Sequence, residues 1–245
     1  MYTKKGMKIP ANKHNLSLLE DIKKYAEEVK DTRAECLPYS EFCRFEKDGN
    51  RTGYEAEYVI HRKRLNAFAV MALSDDNPCW VTALEDAIWA ICDEFAWALP
   101  AHVHGGVQNS APEDVITNID LFSAGTAFSL SEIYHLLGNK LSQCVCSRIK
   151  YEIDRRVITP YVEKRRKWGA NNWSGVCATG VIAAVIYTST REVFDNVIDD
   201  ILGSLNTFLS SYYDDGCCME GVLYHSYGFG HFCYGAQLIR EYTNG

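Results

Sequence analysis

The residues best suited to chemistry cluster in the stretch 214–231, where Asp214, Asp215, Glu220, Tyr224, His225, Tyr227 and His231 share eighteen positions with four glycines. The 3.6-residue apolar repeat that brackets this stretch lapses within it, so it reads as an ordered loop. Its glycines let the backbone fold tightly and gather the polar side chains. Two chemistries fit. Glu220 with Asp214 or Asp215 could form the carboxylate pair of a glycosidase, one protonating the leaving oxygen and the other activating water. Alternatively Tyr224 or Tyr227 could carry a proton, with a neighbour lowering its pKa from about 10. Cys217 or Cys218, near His225 and Glu220, could also act as a nucleophile, though both suit a structural place in the loop better.

Asn171-Asn172-Trp173 is the second candidate. Amides both donate and accept hydrogen bonds, and an indole offers a flat apolar surface, a combination suited to a sugar ring. The same residues also suit an asparagine helix cap beside a core tryptophan. His102-x-His104 and Cys144-x-Cys146 contain metal-ligand types, but their spacing matches no zinc site, and no metal or other cofactor is expected. The turn near Asp120 completes the polar loops.

Helices must position these groups. Apolar periodicity predicts helices over 14–30 with Asn15 as N-cap, over 54–73, and over 79–99 behind Asn77-Pro78, the last apolar on most sides. Residues 36–53 read as irregular, with Pro38 and Asp48-Gly49-Asn50 as turn signals. Further helices are expected over 119–137, capped by Asn118 and stopped by Gly138, and over 142–168, interrupted at Pro160. The small residues of 174–187 suit a central helix. Thr190 caps the next, over 191–212, and a last helix takes 232–242. Strand-like alternation is missing throughout. The expectation is an all-α array of antiparallel hairpins, with 1–53 as a lead-in and 54–245 as the main domain, alternate loops gathering on one face.

The 245 residues suffice for a sizeable core. A net charge of −7 argues against nucleic acid or an anionic membrane as partner, apart from the basic run Lys164-Arg165-Arg166-Lys167, which could meet a polyanion. Met1–Lys8 is followed by polar residues rather than an apolar core, so no signal peptide is expected and a cytoplasmic location is the default. No apolar run reaches membrane-spanning length. Of ten cysteines, Cys79, Cys92, Cys144, Cys146, Cys177 and Cys233 fall in apolar helical patterns and read as reduced core thiols.

With these residues in view, the chain resembles the helical domain of the heparinase II/III-like polysaccharide lyases. The resemblance rests on Trp168-Gly169-Ala170-Asn171-Asn172-Trp173-Ser174-Gly175 and, about fifty residues later, Asp215-Gly216-Cys217-Cys218-Met219-Glu220-Gly221-Val222-Leu223-Tyr224-His225-Ser226-Tyr227-Gly228. Leu99-Pro100-Ala101-His102 and Ile119-Asp120-Leu121-Phe122-Ser123-Ala124 support it. It implies an incomplete (α/α) toroid, followed in such lyases by a β-sandwich that lies beyond Gly245. It also implies β-elimination on an acidic, uronic-acid-containing polysaccharide. On this sequence Asn171 or Asn172 would neutralise the sugar carboxylate and Tyr224 or Tyr227 would be the acid/base, with His225 positioning it. Trp173, Trp168, Glu220, His102, His104 and His231 would contact the sugar.

Overall fold

A computed structural model describes residues 12–245; the amino-terminal run read for a signal peptide lies outside the described residues. The described residues form twelve α-helices: α1 (Lys13–Val29), α2 (Tyr39–Phe42), α3 (Arg44–Asp48), α4 (Thr52–Ser74), α5 (Cys79–Asp93), α6 (Pro112–Ile116), α7 (Leu121–Leu137), α8 (Gln143–Ile153), α9 (Thr159–Lys164), α10 (Asn172–Thr188), α11 (Arg191–Leu209) and α12 (Val222–Thr243). Among the described residues there is no strand, only a single bridge between Tyr212 and Cys218. The chain is all-α, as expected.

Helix α10 is the centre. All of its Gly, Ala and Val residues and Ile182 are buried, Ile186 is partly so, and the helix packs against α7, α11 and α12. Its small residues permit that closeness: a Cβ on Gly180 would lie 2.5 Å from the Ala124 carbonyl of α7, and one on Gly235 of α12 2.4 Å from Thr179 Oγ1. Short turns join α4 to α5, α7 to α8 and α10 to α11, and each pair packs together, while α1 lies on α4 and α5 on α8.

Several helix ends differ from the periodicity reading. Asn12, not Asn15, caps α1, its side chain accepting the Asn15 N–H at 2.9 Å. Residues 36–53 are not wholly irregular but contain α2 and α3, the latter closed by Gly49 in the left-handed region (φ 75°). Helix α5 stops at Asp93 rather than Leu99. The buried Arg156 guanidinium takes the carbonyls of Cys92, Glu94 and Phe95, closing that end, and residues 94–99 follow as a non-helical bend in which Phe95 is exposed and Ala96, Trp97, Ala98 and Leu99 are buried. One face of α5 is open to solvent: Trp89 is exposed, with the Arg148 guanidinium over its ring.

Asp120, not Asn118, caps α7, in a reciprocal pair with Ser123, and Gly138 ends that helix in ordinary right-handed geometry. Around Pro160, which lacks the N–H an α-helix would use, the chain passes through a π turn at Asp154–Ile158. Thr190 caps α11 as expected, although that helix ends at Leu209. The largest difference is α12: it begins at Val222, so most of the expected loop is helix and only residues 210–221 turn. All ten thiols are free. Cys92, Cys146 and Cys177 are core residues, whereas Cys144 and Cys233 are exposed.

Candidate functional site

Three helix N-termini meet where the candidate groups lie. At the start of α7, Asp120 is fully buried and its carboxylate is saturated. Oδ1 accepts the N–H groups of Phe122 and Ser123 at 3.0 and 2.7 Å, and Oδ2 accepts Leu99 N–H at 3.1 Å. The remaining contact is His102 Nδ1, 2.7 Å from Oδ2. A carboxylate only accepts, so Nδ1 carries a proton and the ring's chemistry is left to Nε2. The short 3₁₀ turn Pro100–His102 delivers the imidazole, which packs edge-on against Trp173 with centroids 4.9 Å apart and tilts on Phe122 at 5.7 Å.

At the start of α10, Asn171 is the cap, its Oδ1 accepting Trp173 N–H at 3.1 Å; its Nδ2 makes no hydrogen bond among the described residues. Asn172 is almost wholly buried, with its backbone N–H and Nδ2 each donating to Glu220 at 2.6 Å. Glu220 is thereby a strap, tying the turn before α12 to the first turn of α10, where a carboxylate also meets the positive end of the helix dipole. Asp215 turns away to accept Cys217 N–H at 2.8 Å.

The early start of α12 sorts its side chains by helical period. Tyr227 and His231, four apart, share a face: their rings meet at 4.8 Å and His231 Nδ1 donates to the Tyr227 carbonyl at 2.9 Å. Tyr227 is about 40% exposed. Partial desolvation of the phenol, and next the Cys177 thiol and the Asp120 carboxylate, push its pKa up to about 12. The expectation of a lowered tyrosine pKa is therefore reversed at Tyr227, chiefly because desolvation disfavours the charged phenolate, with the Asp120 carboxylate adding in the same direction. His225 faces the other way, between Tyr212 and Phe229 at 5.5 and 5.7 Å, apart from Tyr227. Tyr224 is about half exposed and makes no hydrogen bond among the described residues.

Two expected sugar contacts lie elsewhere. Trp168 is buried, stacked on Tyr161 at 5.9 Å, and donates its indole N–H to the Ile119 carbonyl, so it is a core residue. His104 is exposed and lines a neighbouring cavity of about 420 Å³ with Lys164 and Arg166. Arg166 also holds Asn118, which in turn donates to the His102 carbonyl at 3.0 Å. Sequence reasoning noted the turn at Asp120 but not the residue's hold on His102, a pairing across eighteen positions that no local pattern announces. Among the described residues no group of three or more His, Cys, Asp or Glu side chains is arranged to hold a metal. No helix there is long and apolar enough to cross a membrane. In comparison with known proteins, no family model matches the chain and no curated protein sequence matches it.

Proposed function

We propose that the chain is a polysaccharide lyase-type domain, an incomplete (α/α) toroid that cleaves an acidic, uronate-containing glycan by β-elimination. The observation that carries this reading is the buried Asp120 holding His102 beside Trp173, with a protonated Tyr227 hydroxyl in the field of the same carboxylate. The succession of packed hairpins supports the toroid.

In the reaction, His102 Nε2 takes the C5 proton, electrons move into a C4–C5 double bond, and the C4–O bond breaks. Tyr227 gives its proton to the departing oxygen, which suits a phenol that keeps that proton well above neutral pH. Asn171, whose Nδ2 is uncommitted, donates to the sugar carboxylate and so acidifies C5, while Trp173 offers a face to the ring. Asn172 and Glu220 occupy each other and position this wall rather than touch substrate. With both oxygens on Asn172, Glu220 is poorly placed as a glycosidase acid.

The test is ultraviolet absorbance of the unsaturated uronyl product on incubation with alginate, heparin or hyaluronan. Tyr227→Phe is expected to lower kcat about 10²- to 10⁴-fold with little change in KM, and Tyr224→Phe to stay within a few-fold of wild type. Absence of the unsaturated product from every uronate polymer tried would refute lyase chemistry. Polymer binding without turnover would leave a glycan-binding module.

A further inference from the structure

A second cavity, of about 670 Å³, lies away from His102 and Tyr227, between the segment 34–42, the amino-terminal half of α4, the end of α5 and the stretch 107–115. Its walls are aromatic and apolar: Leu37, Tyr39, Phe42, Tyr54 and Phe95 line it, with Phe42 edge-on to both Tyr54 and Phe95 at 5.3 and 5.5 Å. Three carboxylates, Glu35, Asp93 and Glu94, and the imidazole of His61 line it, without a lysine or arginine. Asp93 is paired with Arg148 at 2.8 Å. Glu94 is buried, and one of its oxygens, Oε1, receives Arg62 and His61 at 2.5 and 2.8 Å. The other oxygen, Oε2, is buried with no hydrogen-bond partner, a costly state for a carboxylate. At the rim Glu35 is exposed and its carboxylate is unpaired among the described residues, while its carbonyl takes His61 Nε2 at 2.9 Å.

We propose that this cavity binds a small organic ammonium ion with an aromatic or aliphatic body. Flat π faces attract a cation, apolar walls take its body, and the unpaired Glu35 carboxylate at the rim supplies both the acceptor it needs and the sign of charge it complements. An anion of the same shape would meet the unpaired Glu35 carboxylate, with no lysine or arginine in the lining to offset it. A neutral isostere would fill the walls and leave the charge unused. The site shares no lining residue with the His102–Tyr227 group and stands whether or not that group is a lyase centre.

The experiment is calorimetric titration of the full chain near neutral pH with phenethylammonium, its neutral isostere phenethyl alcohol and its anionic counterpart hydrocinnamate. The ammonium should bind at least about tenfold more tightly than the alcohol, a difference of about 1.4 kcal/mol, and hydrocinnamate more weakly than either. Glu35→Gln, at an exposed position that threatens no packing, should remove most of the preference for ammonium and leave the alcohol unchanged. Ala90→Phe, which places a ring in the cavity wall, should weaken both ligands without changing the circular dichroism spectrum. The proposal is overturned if no probe binds the wild type, if hydrocinnamate binds as tightly as the ammonium, or if folded Ala90→Phe binds both as before.

Discussion

At the scale of single residues, Asp120 and Tyr227 show how one carboxylate sets two neighbours differently. Asp120 accepts three backbone N–H groups and the His102 ring, so its charge is held in place at no cost in unpaired oxygens. The same charge, added to burial, makes ionisation of Tyr227 harder. An unfolded tyrosine loses its proton near pH 10, whereas in the fold Tyr227 keeps it to about 12. The folded state therefore binds more protons than the unfolded state between those values. The stability Tyr227 contributes is complete below about pH 10 and is lost as pH rises towards 12. Tyr161 and Tyr212, both also raised to about 12 chiefly by burial, act in the same direction. The melting temperature should accordingly fall through this alkaline range, and Tyr227→Phe, which has no proton to lose, should fall less steeply. Equal alkaline slopes for the variant and the wild type would show that the hydroxyl is not held as described.

At the scale of elements, the candidate site depends on how closely α7 and α12 approach α10. The contact of Gly180 with the Ala124 carbonyl is backbone against backbone, so a methyl group there cannot be absorbed by a rotamer change. Gly180→Ala should cost roughly 2 to 3 kcal/mol and lower the melting temperature by several degrees. Gly203→Ala, on α11 with open space around its Cβ position, should be neutral or slightly stabilising. A thermal scan in which the two variants coincide would contradict the packing. The small-residue pattern of 174–187 made this central helix legible, and Thr190 and Gly49 announced their own ends. What escaped was non-local. Arg156 stops α5 from more than sixty positions away, and α12 begins early although Gly228 and Gly230 weaken it locally. There Gly228 is needed because Phe208 and Asn172 leave no room for a Cβ. Gly228, read as a loop signal, is a packing residue, whereas Gly230 has open space around its Cβ position, and the early helix sets His225 off the face that carries Tyr227.

At the scale of the whole molecule, the difficulty for any acidic glycan is a protein of net charge −7. The basic run near α9 is weaker than its composition suggests: Arg165 is spent on Asp200 at 2.9 Å and Lys164 lies 3.5 Å from Asp114. Arg166, bound among the described residues only to the neutral Asn118, and the exposed Lys167 remain to meet a polyanion. Two fields of opposite sign therefore act over different lengths. The net negative charge is spread over a body with a radius of gyration of about 18 Å, whereas Arg166 would act at contact distance. Screening extends about 30 Å at 0.01 M salt and about 10 Å at 0.1 M, so moderate salt removes the general repulsion first and the local attraction later. The affinity for a labelled alginate or heparin oligosaccharide, followed by fluorescence anisotropy, should rise between these two concentrations and fall beyond them. Arg166→Gln should remove most of the fall, because counterion release from the contacted carboxylates or sulfates drives it. A monotonic decline from the lowest salt would mean that the local cations dominate at every range, and an affinity that only rises would mean that Arg166 makes no contact with the chain of sugars.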